Sequence, residues 1–231
     1  MRRVETLVIG GGQAGLALSR HLTDLDRDHL VLERGRIAER WRSERWDSFR
    51  LLTPNWATRL PGLDQTGADP DGFMRGSELV RQLEAYAASF SAPVEEQVEV
   101  RAVRPDARGW RAITDGGTIE ARNVVLATGH HGHPRLPPVV AELPPVIHQL
   151  HSRNYRNPGQ LPDGGVLVVG AGPSGQQIAK ELAGSGRRVV LAVGRHTGVP
   201  RAYRGLDAFR WMELLGMLTE SVESQPDPQG A

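Results

Sequence analysis

The sequence of 231 residues predicts an α/β fold with two βαβ units, each built on a parallel sheet, and a small antiparallel β-meander. Two observations predict the units: an apolar strand, a glycine cluster and apolar residues at helical spacing follow one another twice along the chain. A third observation predicts the meander, because short strand-like segments alternate with turn residues between positions 94 and 120.

The first unit begins near the N-terminus. Residues 4–9 are apolar and β-branched, as expected of a strand buried on both faces. Residues 10–15 form the glycine cluster, and leucines then recur at helical intervals to about position 26. Residues 29–33 form a second short apolar strand, so this order predicts a parallel βαβ unit.

The segment that follows is more varied. Residues 34–71 are irregular, and Ser77 is predicted to cap a helix whose apolar residues recur on one face. After the predicted meander, residues 123–128 form another buried strand. The connector, residues 130–164, holds seven of the sixteen prolines, as expected at a domain boundary.

The strand–glycine–helix pattern returns after the connector. Residues 166–169 form a strand, residues 170–175 repeat the glycine cluster, and a helix then runs to about position 182. Residues 188–193 form the closing strand. We therefore divide the chain into a first unit with the meander (1–129), the connector (130–164) and a second, incomplete unit (165–231).

Both glycine clusters have the pattern of Rossmann-like dinucleotide-binding turns. The first glycine permits a tight turn, the second lets the backbone approach a pyrophosphate, and the third allows the helix to pack on the strand. The pyrophosphate then lies at a helix N-terminus. The three positions are Gly10, Gly12 and Gly15 in the first unit and Gly170, Gly172 and Gly175 in the second. The alternative is that one copy is only a turn.

The residues after the second strand of each unit distinguish the two nucleotides. Glu33 lies close to the spacing of an acid that accepts hydrogen bonds from a ribose diol. The equivalent place in the second unit holds no acid, and Arg195 there suits the 2′-phosphate of NADPH. The alternative for Arg195 is a solvated surface arginine.

Composition excludes several other classes of function. The formal charge of +1 gives no field that selects nucleic acid or a membrane surface, and no apolar run is long enough to span a bilayer. The sequence has no cysteine, which excludes Cys-ligated zinc, iron–sulfur clusters and a thiol redox centre. We expect no metal site, although His130, His131 and His133 lie together. The expected location is the cytoplasm.

The chain resembles the flavin-containing monooxygenases, and within them the bacterial branch often labelled flavoproteins of potassium or cation transport. The resemblance rests on both glycine motifs, residues 46–55, the sequence Ala127-Thr128-Gly129 and the HSxxY motif at His151–Tyr155. The monooxygenase fingerprint is half present, because Pro145 and Ile147 stand where the family has Phe and Gly.

The resemblance implies FAD in the first unit, NADPH in the second, and dioxygen with a small-molecule substrate as reactants. The implied reaction is oxygen transfer to a soft nitrogen or sulfur nucleophile. Two alternatives remain open: an NADPH:flavin reductase or oxidase without oxygenation, and a non-catalytic nucleotide-binding fragment. The family also continues beyond position 231, so we expect open sheet edges and self-association.

The resemblance also implies site residues. Asn55 matches a position beside the flavin ring, where its amide donates a hydrogen bond; the alternative is a simple turn with an Asx bond. Trp41 and Arg42 are expected along the dinucleotide, and the backbone of Val100 near the adenine. The other implied cofactor-binding residues are Gln13, Ala14, Arg34, Thr53, Ala127, Thr128, Gly129, Pro173 and Ser174.

Overall fold

A mixed six-stranded sheet forms the centre of the first unit in the computed structural model, which describes residues 2–63, 69–129, 132, 134–195, 198 and 200–221. The sheet order is β3-β2-β1-β6-β5-β4. Its strands are β1 (Arg2–Ile9), β2 (His29–Leu32), β3 (Val94–Glu95), β4 (Val100–Asp106), β5 (Gly109–Thr114) and β6 (Gly117–Leu126). The helices of this unit are α1 (Gln13–Asp24), α2 (Glu39–Ser43) and α3 (Gly76–Ser89).

The second unit has a separate two-stranded parallel sheet. Its elements are β7 (Val166–Val169), α4 (Pro173–Gly184) and β8 (Val189–Ala192), followed by the hairpin β9 (Ala202–Tyr203) and β10 (Leu206–Asp207) and by α5 (Ala208–Leu214). Short 3₁₀ turns cover Asn55–Ala57, Pro138–Glu142 and Pro158–Gln160. The predicted α/β fold class, with two parallel units and an antiparallel meander, is confirmed.

The meander and the predicted strand at 123–128 are one continuous structure. Strand β6 pairs antiparallel with β5 through its first half and parallel with β1 along most of its length, so Ala121 lies opposite both Trp110 and Val4. The prediction of a separate strand at 123–128 is therefore wrong, because the strand starts at Gly117 and ends at Leu126. Arg122 and Asn123 interrupt the apolar pattern within it, which hides this continuity in the sequence.

Helix α3 packs against α1 and α2 in the first unit. Its predicted apolar face is buried, and the buried members are Gly76, Leu79, Val80, Leu83, Tyr86 and Ala87. The prediction of Ser77 as the cap is wrong, because the helix begins at Gly76 and Arg75 is its N-cap. The Glu78 carboxylate accepts a hydrogen bond from the Arg75 backbone N–H at 2.6 Å and so satisfies the helix start.

An apolar cluster joins the two units through the connector. It contains Trp46 from the first unit, Tyr155 from the connector, and Ile178 and Leu182 from α4. The opposite face of the β7–β8 sheet is open in the described part of the chain, where Leu167, Val169 and Val190 are exposed. The self-association expected from such open surfaces stays a prediction.

Helix α5 lies on the surface of the first unit. No residue of this helix is buried, and the Arg210 guanidinium lies 4.0 Å from the ring centroid of Trp56. The Phe, Trp, Met and Leu residues of this helix would ordinarily predict that it packs in a core. Within the described residues, no helix is both long and apolar enough to span a membrane.

Candidate active site

The two glycine turns have the same geometry. The Gly10 N–H donates to the Leu32 carbonyl at 2.8 Å, and the Gly170 N–H donates to the Ala192 carbonyl at 3.0 Å. Gly10 and Gly170 have φ of +117° and +102°, which other residues rarely adopt. A Cβ at Gly15 would overlap the Gly10 carbonyl oxygen, and Gly175 repeats this close approach. Both turns therefore need glycine for the fold itself.

The middle glycines lie beside open space instead. A Cβ at Gly12 or Gly172 would meet no atom within 4 Å. Each of these glycines is the N-cap of the following helix, so unpaired backbone N–H groups of α1 and α4 face the same space. A phosphate fits both cradles, because the approach is unobstructed and the helix N-terminus favours negative charge.

Glu33 lies directly beside the first turn. Its carboxylate accepts hydrogen bonds from the Gly11 N–H at 2.7 Å and from the Gly35 N–H at 3.0 Å. These bonds hold the acid at the end of β2, where a ribose would lie. The backbone N–H of Val98 donates to the Glu33 carbonyl at 3.0 Å, whereas Val100 lies two residues further on in the outer strand β4. Arg34 is exposed.

The segment Ala127-Thr128-Gly129 crosses the first turn. The Ala127 N–H donates to the Ile9 carbonyl at 2.8 Å, and a Cβ at Gly10 would lie 2.5 Å from the Ala127 carbonyl oxygen. The Arg40 guanidinium donates to the Thr128 carbonyl at 3.4 Å. The structure thus places Ala127 and Thr128 next to the glycine turn, whereas the cofactor contact that the resemblance implies for all three residues stays a prediction.

A cavity of about 570 Å³ lies between the first turns of α1 and α4. Its lining includes the predicted site residues Gln13, Trp41, Thr53, Pro173 and Ser174, so both units contribute to it. Its walls are otherwise aromatic and charged.

Other predicted site residues lie outside this lining. Arg195 is exposed beyond the end of β8. Arg42 pairs with Glu84 at 2.6 Å instead of facing the cavity.

Sequence reasoning missed the charged groups of the cavity, which are Arg40, Glu44, Arg45 and Arg153. The Glu44 side chain is only 7% exposed and pairs with Arg40 at 3.1 Å and with Arg153 at 2.7 Å. The spacing of Arg40 and Glu44 on a helix was a signal for their pairing. Arg153 lies within the HSxxY motif, but the motif does not indicate its pairing with Glu44, which is distant in sequence.

Asn55 does not line the cavity. Its side-chain amide donates to the Asp69 carbonyl at 2.8 Å, and its Oδ1 atom is buried without a hydrogen-bond partner among the described residues. Thr53, two residues earlier, does line it, and its hydroxyl lies 3.5 Å from that of Thr58. The role of Asn55 beside a flavin stays a prediction.

The HSxxY motif lies where the connector meets both units. The Nδ1 atom of His151 accepts a hydrogen bond from the Arg153 N–H at 3.1 Å, and the ring lines the cavity. The Tyr155 hydroxyl donates to the Glu181 carboxylate at 2.7 Å. Burial and this carboxylate raise the pKa of Tyr155 above its ordinary value. The motif therefore holds α4 in place beside the cavity.

No group of three or more metal-ligating side chains occurs among the residues that the structure describes. His130, His131 and His133, which the sequence groups together, lie outside those residues.

Comparison with known families identifies this architecture. The model of the pyridine nucleotide-disulphide oxidoreductase family matches residues 7–203, which include both glycine turns and the connector. The chain belongs to this family. Within the pyridine nucleotide-disulphide oxidoreductases, the resemblance to flavin-containing monooxygenases that the sequence indicated is confirmed by the relatives described next.

An uncharacterized CzcO-like oxidoreductase of Geobacillus kaustophilus is 38% identical over 96% of this chain and 63% of its own length. Indole-3-pyruvate monooxygenase YUCCA1 of Oryza sativa subsp. japonica is 32% identical over 90% of this chain and 54% of its own. A double-mutant flavin monooxygenase from Stenotrophomonas maltophilia has a TM-score of 0.80 and 25% identity, over 92% of this chain and 63% of its own. This chain thus spans less than two thirds of the length of these relatives.

The disulphide chemistry in the family's name needs a thiol that these residues do not have. The 231 residues contain no cysteine, so none of them takes part in thiol exchange. Within the pyridine nucleotide-disulphide oxidoreductases, the chain therefore shares the nucleotide-binding architecture without a dithiol centre of its own.

Proposed function

We propose that this protein is an oxidoreductase in which the first unit binds FAD and the second binds NADPH, with electrons passing between them at the cavity. The observation that carries the proposal is the repeated glycine turn, because both cradles adjoin one cavity. A Cβ at Gly12 or Gly172 would meet no atom within 4 Å, so the approach of a pyrophosphate to each of these glycines is unobstructed. The flavin monooxygenases among the relatives support the choice of flavin.

Individual residues have separate roles in this proposal. Glu33 accepts hydrogen bonds from the adenosine ribose of FAD, since the backbone already fixes its carboxylate. Gln13 and Ala14 lie under the FAD pyrophosphate, while Pro173 and Ser174 lie under that of NADPH. Arg195 contacts the 2′-phosphate of NADPH.

The proposed reaction is monooxygenase-type oxygen transfer to a soft nitrogen or sulfur atom of a small molecule. When bound, FAD would supply the redox chemistry, with NADPH as the source of hydride and dioxygen as the oxidant. The chain's own residues bind, orient and exclude water. The aromatic rings of Trp41, Trp46 and Phe49 limit access of water to the cavity, and Thr53 offers a hydroxyl at its wall.

The visible absorption spectrum of the purified chain tests cofactor binding. We expect a flavin spectrum near one equivalent, with FAD as the released chromophore, and loss of the oxidised-flavin absorbance when NADPH is added without oxygen. A chain that stays colourless in excess FAD would overturn the proposal.

A variant of Arg195 tests the choice of NADPH over NADH. Arg195→Ala is expected to weaken NADP⁺ binding about tenfold, or roughly 1.4 kcal/mol, and to leave NAD⁺ binding unchanged. Arg188→Ala is the matched control, because Arg188 lies at the other end of β8. Equal effects of the two variants would contradict the role of Arg195.

A second candidate function is an NADPH:flavin oxidase that releases hydrogen peroxide without oxygenating a substrate. It is favoured by the Asn55 amide, which is hydrogen-bonded to Asp69 and not aimed at the cavity. The yield of oxygenated product from a thioether or tertiary amine, per NADPH consumed, distinguishes the two. A ratio near one supports the monooxygenase, and full recovery of the oxygen as peroxide supports the oxidase.

A further inference from the structure

Arg45 is a cavity arginine that the proposed cofactor contacts do not use. It follows α2, lines the cavity, and is about half buried. Its guanidinium lies 4.8 Å from the ring centroid of Trp41 and 5.5 Å from that of Phe49. Two aromatic faces therefore hold a planar cation at the wall of the cavity.

Arg45 forms no salt bridge in the described part of the chain. Among the described residues, its side chain hydrogen-bonds only to the Glu44 backbone carbonyl, at 2.8 Å. The nearby Glu44 carboxylate is already shared by Arg40 and Arg153. The four cavity groups thus combine three guanidiniums with one carboxylate, which leaves positive charge in excess.

A partly buried cation that shares one carboxylate with two other guanidiniums is costly for the protein alone. Burial lowers the pKa of Arg45, which reflects the loss of water around its charged form. An anion that enters the cavity would restore the lost solvation through charge-assisted hydrogen bonds. A planar guanidinium offers two parallel N–H groups to a carboxylate or phosphate.

We propose that Arg45 anchors an anionic group, a carboxylate or a phosphate, of a small molecule that binds in the cavity. This inference rests on the proposed function for the source of the anion, which is either the substrate or a nucleotide. The anion site itself is inferred from two observations: the Arg45 guanidinium stacks on aromatic rings, and the Glu44 carboxylate is already paired with Arg40 and Arg153.

Tryptophan emission reports the first test, because Trp41 stacks with Arg45 and Trp46 also lines the cavity. The full chain as purified is titrated with inorganic pyrophosphate, benzoate and uncharged benzamide while tryptophan emission is recorded. We expect a saturable change with at least one of the two anions and none with benzamide. Equal responses to benzoate and benzamide with none to pyrophosphate, or no response to any probe, would overturn the proposal.

Variants assign the response to Arg45. Arg45→Gln removes the charge and is expected to weaken anion binding at least about tenfold, that is, by roughly 1.4 kcal/mol. Arg20→Gln is the matched control, because Arg20 also lies over an aromatic ring, Phe90, at 5.6 Å, but outside the cavity lining. If Arg45→Gln does not fold by circular dichroism, Arg45→Lys replaces it and is expected to bind at least about threefold more weakly, since lysine lacks the planar fork. Unchanged anion binding in a folded Arg45 variant would overturn the proposal.

Two further titrations, with NADP⁺ and with FAD, identify the source of the anion. Weaker NADP⁺ or FAD binding by the Arg45 variant assigns the site to that nucleotide's phosphate. Weaker benzoate binding with both nucleotides unaffected assigns it to a substrate carboxylate. Because the first titrations need no flavin, a colourless chain that still binds pyrophosphate or benzoate through Arg45 would refute the proposed function and leave this inference standing.

Discussion

Gly10 and Gly12 stand two residues apart in the first glycine turn but are constrained differently. Gly12 has φ of −91°, which alanine adopts freely, and its missing Cβ faces open space. Gly12→Ala is therefore expected to change the free energy of unfolding by less than about 0.5 kcal/mol. Its methyl group fills the space of the phosphate, so FAD affinity should fall at least about tenfold. Thermal unfolding and flavin titration measure the two effects.

The control for that prediction is Gly10→Ala. Alanine at a φ of +117° is strained, and its Cβ would lie 2.5 Å from the Ala127 carbonyl oxygen. We expect this variant to lose more than about 1 kcal/mol of stability even without FAD. If Gly12→Ala were destabilised as much as Gly10→Ala, the phosphate cradle would be only a structural turn.

The raised pKa of Tyr155 predicts that the stability of the fold depends on pH. Burial and the Glu181 carboxylate raise the pKa of the folded-state phenol, so its contribution to stability is fully present below about pH 10, the ordinary value. It is lost as the pH rises from there towards the higher pKa of the folded state, because only the unfolded state then releases the proton. Between about pH 9 and 11, Tyr155→Phe should lose less stability than the wild type in urea unfolding. Tyr203→Phe, which removes an exposed phenol, is the control, and a wild-type slope for Tyr155→Phe would contradict the role of Tyr155.

Single residues were predictable from the sequence where their constraint is local. Gly10, Glu33 and Gly170 lie within a few residues of the strands and turns that fix them, and all three occupy the expected places. Arg45 and Glu44 were missed because their importance depends on Arg153, which is distant in sequence. A surplus arginine in an arginine-rich chain gives no local signal of its own.

At the scale of elements, strand β6 shows the same limit. Its apolar residues predict a strand, but its length depends on two neighbours of opposite direction, β1 and β5. Register in a sheet is set by pairing partners that the sequence does not order. The parallel βαβ units were predictable because each is completed by contiguous residues.

Arginine contacts hold the segment from Arg201 to α5 on the first unit, and one of them is the ion pair between Arg59 and Glu213 at 3.2 Å. Arg201 donates to the Leu52 carbonyl at 2.7 Å and lies 4.7 Å from the Phe73 ring centroid, while Arg210 lies over Trp56 at 4.0 Å. Helix α5 buries no residue, so these contacts rather than a core keep it in place.

We therefore expect Arg210→Ala to accelerate amide hydrogen exchange across α5 by several-fold, because it removes both the contact with Trp56 and the ion pair with Asp71. Arg204→Asn is the matched control, because Arg204 lies in the β9–β10 hairpin of the same segment and its cation–π contact is with Tyr203 of that hairpin. Arg204 has a φ of +49°, which asparagine tolerates. Unchanged exchange in Arg210→Ala would show that the contacts of Arg201 and Arg59 suffice to hold the segment.

At the scale of the whole molecule, the two units differ in how much core they have. The first has two large apolar clusters, one formed by the strands of its six-stranded sheet and one by α1, α3 and the residues around them. The second packs one face of a two-stranded sheet on α4 and depends on the junction cluster of Trp46, Tyr155, Ile178 and Leu182. Two-stranded sheets are seldom stable without such support. The stability of the second unit therefore depends on docking to the first, whereas the first does not depend on the second.

Two large-to-small substitutions test whether the second unit depends on the first and whether the first depends on the second. Leu182 is 1% exposed in the junction cluster and Leu83 is 0% exposed in the core of the first unit, so each truncation to alanine should cost about 2–5 kcal/mol locally. Leu182→Ala should raise amide exchange in β7, α4 and β8 while β1 and α1 stay protected. Leu83→Ala should raise exchange in both units, because the second loses its support when the first opens. If Leu182→Ala instead opened the first unit to the same extent, the two units would form one cooperative core, and the glycine turns on either side of the cavity would be stabilised together.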